Sequence, residues 1–328
     1  MTRGQALQFV RPGRVELTDI EVPEPGSGQV VVRMLASSLC NHPEVRSYRG
    51  GQPAGYGSSY PMAPGEPGHE GVGQVVSAGA GVTTVAPGDL VVMTGHGGDP
   101  LHRSVVLRDA DAVAVIRPGD RDPRPASCLE MFGCAYHCVR AGWREPGGFD
   151  GARVAVVGAG AIGLCAIQIL RLWPVAGITA LDLRSEKLDL AASLGATETV
   201  GIPSEADAES LAATLGTFDV VVECSGHIKG HHLANALVRR TLINVSLCPE
   251  AYLVHQGQWF TRGTTIYNPG VLTSDELRAV AALYNRGLID PERMISRRIP
   301  PAPGAYLDAI RAIDRGRIVK ALIEWNGK

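Results

Sequence analysis

The chain has 328 residues, 45% of them hydrophobic and 20% charged, with a formal net charge of −2. That length accommodates two domains with sizeable cores, and the composition is that of a folded globular protein rather than a disordered one. The near-neutral charge gives no electrostatic case for nucleic acid or an anionic membrane as partner, and no apolar run approaches the roughly 18 residues that span a bilayer. The first 19 residues, MTRGQALQFVRPGRVELTD, lack the apolar core of a signal peptide and read as mature protein. Seven unevenly spaced cysteines, mostly within apolar runs, read as reduced thiols of a cytoplasmic protein rather than as a disulfide framework.

Residues 1–38 read as strands. Val30, Val31 and Val32 lead into Arg33 and Met34 after the turn signal Pro25-Gly26-Ser27-Gly28, and Asp19–Pro25 reads as a charged, proline-bearing loop. Cys40 and His42 follow, both of a type that ligates metal, although a lone cysteine after apolar residues is usually only packed. Arg46–Gly68, rich in Gly, Pro, Ser and Tyr, predicts a long irregular loop. Its Tyr48, Tyr56 and Tyr60 are candidates either for a substrate mouth or for plain surface.

The segment Gly68-His69-Glu70-Gly71-Val72-Gly73 opens the next strand. Its glycines allow close backbone approach, and its histidine offers a neutral ring nitrogen suited to zinc. A solvated turn is the plainer reading. Pro87-Gly88-Asp89 turns into the strand Leu90-Val91-Val92, and the glycine-rich Thr94–His102 places His96 and His102 in solvated loop. Ala126–Gly142 has helical periodicity through Leu129, Phe132, Tyr136 and Val139. Glu130 and Cys134, four apart, share one face. A carboxylate in so apolar a segment is costly unless paired or bound to metal.

Arg153–Asp182 organises the centre of the chain. The buried-strand run Val154–Val157 is followed by Gly158, Gly160 and Gly163 at GxGxxG spacing, with Ala159, Ala161 and Ile162 between them. A helical pattern begins at once, with Ile162, Ala166, Ile169 and Leu170 on one face, and a second apolar run from Ile178 ends at Asp182. Gly158 permits the tight turn, Gly160 lets backbone approach a pyrophosphate, and Gly163 lets helix and strand pack closely. Free N–H groups at the helix start would face the phosphates. Asp182 stands where a carboxylate accepts hydrogen bonds from an adenosine ribose. This order of parts predicts a dinucleotide site; the alternative is a tight strand–helix turn that binds nothing.

Further on, Lys187–Leu194 predicts a helix closed by Gly195, and Ser204–Leu215 another, with Ser204 as N-cap and Asp207 in its first turn. Phe218–Glu223 predicts a buried strand ending in Cys224-Ser225-Gly226, and Leu242–Ser246 one more. Alternating strands and helices imply a doubly wound parallel sheet with its ligand at the strands' carboxyl ends, which makes Ser225 a cofactor-binding candidate. After Pro269-Gly270 come two amphipathic helices, Thr273–Gly287 (Leu277, Val280, Ala281 and Tyr284 inward) and Ala302–Gly316 (Leu307, Ile310 and Ile313 inward), and a closing strand Ile318–Trp325.

Taken together, Cys40, the Gly68–Gly73 box, Val85-Ala86-Pro87-Gly88-Asp89, Gly158–Gly163 with Asp182, and the Lys320-Ala321-Leu322-Ile323 ending resemble the medium-chain dehydrogenase/reductase superfamily, its zinc alcohol and polyol dehydrogenases in particular. The resemblance implies an α/β fold, a Rossmann-type doubly wound sheet inserted in a mostly β, GroES-like catalytic domain, with residues 1–130 and 270–328 in the catalytic domain and 131–269 in the cofactor domain. It implies one catalytic zinc per chain, held by Cys40, His69 and Glu130, with Cys134 as rival third ligand. Glu70 would stand beside the metal or exchange onto it. Three such ligands leave the open fourth position that a catalytic zinc needs. No cysteine lies between Asp89 and Pro125, so the family's structural-zinc lobe is absent.

The implied reaction is reversible oxidation of a secondary alcohol, polyol-, sugar- or cyclitol-like, to its ketone, with zinc as Lewis acid and hydride passing to NAD. Asp182 argues for NAD, while Arg184 close by keeps NADP open; Lys187 matches a family lysine at the adenosine ribose. The chain departs from the family after Cys40, where Asn41, His42, Pro43 and Glu44 replace the usual hydroxyl-bearing motif. His42 would then carry the proton, since imidazole titrates near neutral pH; a hydrogen-bonded loop histidine is the alternative. A zinc-independent reductase of an enone or quinone, and a non-catalytic dinucleotide-binding relative, are the competing readings. A homodimer or homotetramer is implied, with Thr264–Tyr267 as a candidate edge strand.

Overall fold

The apolar runs Val30–Val32 and Val154–Val157 each become the middle of a sheet, buried on both faces. They do so in a computed structural model that describes residues 1–51, 59–143, 148–205, 207–248, 250–251, 254, 256–270 and 272–325. The chain forms two compact units, Met1–Glu130 with Thr273–Lys328, and Met131–Leu272.

The first unit contains β1 (Thr2–Arg11), β2 (Arg14–Val22), β3 (Gln29–Ser38), α1 (Pro43–Arg49), β4 (Gly71–Ala78), β5 (Leu90–Met93), β6 (Val105–Asp109) and β7 (Val113–Val115). A 3₁₀ turn, Arg124–Cys128, then leads into α2 (Leu129–Trp143), whose first two residues close this segment. The second unit comprises β8 (Arg153–Val157), α3 (Ala161–Leu170), β9 (Gly177–Asp182), α4 (Ser185–Leu194), β10 (Glu198–Gly201), α5 (Ala208–Leu215), β11 (Phe218–Glu223), α6 (Ile228–Leu237), β12 (Val238–Asn244), α7 (Gln256–Arg262) and β13 (Thr265–Tyr267). The first unit resumes with α8 (Ser274–Asn285), β14 (Ile295–Ile299), α9 (Pro303–Asp314) and β15 (Lys320–Glu324).

The second unit is the expected doubly wound sheet. Its strands run in the order β10-β9-β8-β11-β12-β13, all parallel, and the winding reverses between β8 and β11. In the first unit the main sheet runs β14-β15-β3-β4-β5-β7, with β6 also on β3 and β1–β2 as a separate hairpin. There β3 pairs antiparallel with both β4 and β15, so elements far apart in sequence flank one strand.

Several local expectations shift. Asp19–Val22 belongs to β2 rather than to a loop. The hairpin pairs Asp19 with Gln5, whose side-chain amide donates to the Asp19 carboxylate at 3.2 Å, and a strand with a solvent face tolerates such charge. The stretch read as irregular from Arg46 begins with the last residues of α1, and Tyr60 returns to that helix by donating to the Ser47 carbonyl at 2.6 Å. Tyr56 lies outside the described residues.

The N-cap of α5 is Asp207, not Ser204: its carboxylate accepts from Ser210 N at 2.9 Å, as an N-cap must. β12 starts four residues earlier than Leu242 because it pairs with β11 from Val238. α3 is not a one-sided helix. Gly163 through Leu170 are all buried, and Ile162 is only half-buried, the pattern of a helix packed on nearly every side. α8 carries a full capping box: Thr273 N donates to Glu276 Oε2 at 2.9 Å, and Leu277, Val280, Ala281 and Tyr284 are buried behind it. On α9, Tyr306 takes an inner position while Leu307 is only partly covered.

Where the family resemblance left a gap after the Gly88-Asp89 turn, a buried arginine organises the backbone. Arg108 donates to the carbonyls of Thr94 and Asp99, each at 2.7 Å, and to that of His96. Burial pulls its guanidinium down to about 10, with Asp99 and Asp109 opposing.

Candidate functional site

The antiparallel pairing of β3 with β4 juxtaposes the exit of β3 and the entry of β4, since Ser37 faces Gly71 and Ser38 N donates to Glu70 O at 3.1 Å. Cys40 lies just past the first strand, and His69 and Glu70 just before the second. Close packing here depends on small residues: a Cβ on Gly68 would lie 2.5 Å from His102 N, and one on Gly73 2.4 Å from the Arg33 carbonyl. β15 approaches β3 from the other side, with Leu39 N donating to Ala321 O at 3.0 Å, and delivers Lys320. The 3₁₀ turn before α2 is tied to the same strand end by Ser127 Oγ and Ser38 Oγ, 2.6 Å apart, and leads directly to Glu130.

The result is a cluster in which Cys40, His69 and Glu70 each present a ligand atom within 4.8 Å of the others. His69 Nδ1 lies 3.0 Å from Pro67 O. A carbonyl can only accept, so Nδ1 carries a hydrogen and Nε2, on the Glu70 side, is the nitrogen left for a metal, which would displace any proton there. Nε2 stands 3.8 Å from Glu70 Oε1. That oxygen also receives Lys320 Nζ at 2.6 Å, while Glu70 Oε2 is buried with no hydrogen-bond partner.

A thiol, an imidazole nitrogen and an orphaned carboxylate oxygen are, once deprotonated, a donor set that suits zinc. The residues therefore fit a divalent metal. Glu130 is buried and outside that trio, and its charge acts on His69. Burial pushes the His69 imidazole down, but the Cys40 thiol bonded to it and the charges of Cys40, Glu130 and Glu44 outweigh burial, and it ends well above the ordinary histidine range. Cys134 lies one turn further along α2, in the second unit.

His42 sits at the start of α1 and is half-buried; Arg46 Nη1 is 3.5 Å from its Nε2. Burial lowers its pKa, as do Arg46 and His69, while Glu44 opposes them.

His102 corrects the solvated-loop expectation. It is fully buried, with Nε2 3.1 Å from Glu44 Oε1 and Nδ1 3.0 Å from Ser37 Oγ, and Trp325 Nε1 donates to that same hydroxyl at 3.0 Å. Burial alone would raise the Glu44 carboxyl, but the His102 bond and the charges of His69, His102 and Lys320 bring it below its ordinary value. His96 is exposed. Lys320 and His102 were missed as site residues because nothing within a few positions of either marks it.

In the second unit a cleft of about 710 Å³ lies at the carboxyl ends of the parallel strands. Gly158, Gly160, Asp182, Arg184, Lys187 and Ser225 all line it. Gly158 has φ +93°, and a Cβ there would lie 2.8 Å from Ser225 backbone. A Cβ on Gly163 would lie 1.9 Å from the Gly158 carbonyl, so helix and strand meet only through glycine.

Gly160, by contrast, faces open space at the N-terminus of α3, where a diphosphate would be cradled. Ala161 and Ile162 form the first turn of that helix. Ala159 N–H is turned inward, donating to Asp182 Oδ2 at 2.8 Å, and Asp182 Oδ1 accepts Arg184 N at 3.1 Å. Lys187 stands nearby, its pKa lowered by burial and by Arg184 against the pull of Asp182. The cleft also holds Lys229, His227 and Gly230, on or beside α6, which the reading of the sequence did not single out.

Two family models match the chain. Residues 26–120 match the family model of the alcohol dehydrogenase GroES-like domain, and residues 161–279 that of zinc-binding dehydrogenases. The chain is 28% identical to sorbitol dehydrogenase of Gallus gallus, over 98% of this chain and 97% of that one. It is 27% identical to L-threonine 3-dehydrogenase of Bacillus velezensis, over 87% and 88%. Among solved structures, a protein of Sinorhizobium meliloti 1021 assigned as a zinc-binding dehydrogenase and bound to NADP superimposes with a TM-score of 0.81 at 25% identity, covering 99% of this chain and all of that one.

Proposed function

We propose that this chain, which belongs to the medium-chain dehydrogenase/reductase superfamily, is a zinc-dependent oxidoreductase that interconverts a secondary alcohol of the polyol, sugar or cyclitol type and its ketone, using NAD and tolerating NADP. The observation that carries this reading is the trio Cys40, His69 and Glu70, with its orphaned carboxylate oxygen. Zinc bound there would supply Lewis acidity toward an alcohol or carbonyl oxygen. Cys40 and His69 are two of the proposed ligands. Glu130 is the proposed third, with Glu70 as the carboxylate that stands beside the metal or replaces Glu130 on it.

The remaining work falls to the chain's own groups. The open face of Gly160 and the N–H groups of Ala161 and Ile162 hold the diphosphate, while Gly158 and Gly163 permit the turn that presents them. Asp182 orients the adenosine ribose, with Arg184 and Lys187 at its edge, and Ser225 lines the same cleft. His42 carries the alcohol proton to solvent, a role open to a half-buried imidazole at a helix start. β13, paired with β12 at the rim of the parallel sheet, is the strand proposed to join a second copy in a homodimer or homotetramer. A cytoplasmic setting suits this chemistry, with nicotinamide cofactor and a small polar substrate as the ligands proposed.

Metal analysis of freshly purified, chelator-free protein tests the reading, together with reduced-cofactor absorbance over a panel of polyols, cyclitols and simple secondary alcohols. About one zinc per chain and NAD-linked turnover are expected; less than about half an equivalent overturns the zinc assignment.

A further inference from the structure

Where α1 packs on α9, three buried side-chain atoms have no hydrogen-bond partner among the described residues: Glu44 Oε2 and Ser47 Oγ on α1, and the Tyr306 hydroxyl on α9. All three side chains are wholly or almost wholly buried. Glu44 and Ser47 stand three positions apart and so share one face of their helix. The Tyr306 ring is held edge-on by Phe9, with centroids 5.8 Å apart, and by His102 at 5.3 Å. His102 also holds Glu44 Oε1 at 3.1 Å, so the phenol and the carboxylate meet on the same histidine. Burial, with the Glu44 charge adding to it, pushes the Tyr306 hydroxyl well above its ordinary pKa, so it remains a donor. At the far ends of the same two helices, Arg49 Nη2 donates to Asp314 Oδ1 at 2.6 Å.

The direction of the surrounding bonds defines what fits between these atoms. Trp325 Nε1 can only donate, so Ser37 Oγ accepts from it and has its own proton for His102 Nδ1. His102 Nε2 then donates to Glu44 Oε1. The chain ends at the carboxylate, whose second oxygen is an acceptor in need of a donor. Ser47 and Tyr306 each offer a hydroxyl proton in need of an acceptor. An acceptor and two donors left unpaired in the interior are costly. One water molecule satisfies all three: it accepts from both hydroxyls and donates to the carboxylate, making the roughly three bonds usual for a buried water.

We propose that a single ordered water molecule, bound by Glu44 Oε2, Ser47 Oγ and the Tyr306 hydroxyl, is an integral part of the first unit. It joins α1, which follows Cys40, to α9 in the segment that returns after the inserted second unit. This inference is independent of the zinc and dinucleotide readings.

The test combines a high-resolution crystal structure of the intact wild-type protein with urea unfolding of Tyr306→Phe, Ser47→Ala and the double variant. Density for one water within hydrogen-bonding distance of all three atoms is expected in wild type. Each single variant takes a partner from that water and is expected to lower the folding equilibrium constant by about tenfold. The double variant is expected to lose clearly less than the product of the two, because both changes act on the same water. If no water binds there, each substitution merely removes an unpaired buried donor, and stability is unchanged or higher; that result overturns the proposal. Losses that multiply fully in the double variant overturn it too, as does a wild-type crystal structure in which the Tyr306 hydroxyl bonds Glu44 directly or no water touches all three atoms. Should either variant fail to fold, the wild-type crystal structure decides the matter alone.

Discussion

Lys320 Nζ lies 2.6 Å from Glu70 Oε1, with both side chains wholly buried and 250 positions apart in sequence. Burial alone would strip the lysine of its proton, but the charges of Glu70, Cys40 and Cys128 hold it charged and raise its pKa. A buried pair of this kind is weak evidence of net stability, but breaking it from one side strands a charge. Lys320→Met is therefore expected to lower unfolding stability by about 3–5 kcal/mol, read as a lower denaturation midpoint, whereas Lys320→Arg loses much less. A Lys320→Met variant with the wild-type midpoint would mean that Glu70 is not ionised in the folded protein.

The two glycines flanking the start of α3 separate packing from binding. Gly163→Ala drives a methyl against the Gly158 carbonyl, and overpacking of this kind costs about 1–3 kcal/mol. Gly160→Ala meets no atom within 4 Å, so the fold should be unaffected while the added methyl occupies the space read as the diphosphate cradle. The expected pair of results is a lowered melting temperature with Gly163→Ala, and lost NADH affinity at an unchanged melting temperature with Gly160→Ala. NADH binding that survives Gly160→Ala intact would move the cofactor away from this turn.

Asp182 uses one carboxylate oxygen on each of two backbone N–H groups, Ala159 and Arg184. Asp182→Asn removes the charge that would repel a 2′-phosphate and leaves one amide oxygen to accept. Charge-assisted bonds are worth about 1.5–3 kcal/mol, so NAD affinity is expected to fall about tenfold or more while the NADP-to-NAD preference rises. Steady-state KM values for both cofactors check this, and an unaltered preference would remove Asp182 from the ribose.

His42 and the proposed metal ligands make different demands. His42→Ala is expected to keep full zinc content and NADH affinity but to lose roughly 10²–10⁴ in kcat, the usual contribution of a proton-transferring group. Cys40→Ala or His69→Ala should instead lose the zinc itself. Comparing zinc content in Glu70→Ala and Glu130→Ala then identifies which carboxylate holds the metal. Wild-type kcat in His42→Ala would assign the proton to another group.

Much of the second unit could be read in the chain order because its signals are local. The run Val154–Val157, the spacing of Gly158, Gly160 and Gly163, and the strand ending at Asp182 lie within 30 consecutive residues, where strand period, helix period and turn chemistry act on neighbours. The capped helix after Thr273 was legible for the same reason. Boundaries moved where pairing overrode composition: Asp19–Val22 joined β2 once β1 lay beside it, and β12 reached back to Val238 along β11.

Cys40, His69 and Glu70 were all visible by type and by resemblance, but the sequence alone did not say that Lys320 would be their neighbour, or that His102 would turn inward from a glycine-rich loop to meet Glu44 and Ser37. Those contacts follow from which strands lie on either side of β3. Periodicity tells which face of a strand is apolar, but carries no information about the partner on that face. A single lysine or histidine has no local partner to betray it, and only the folded sheet, which must satisfy every charge it buries, decides where it goes.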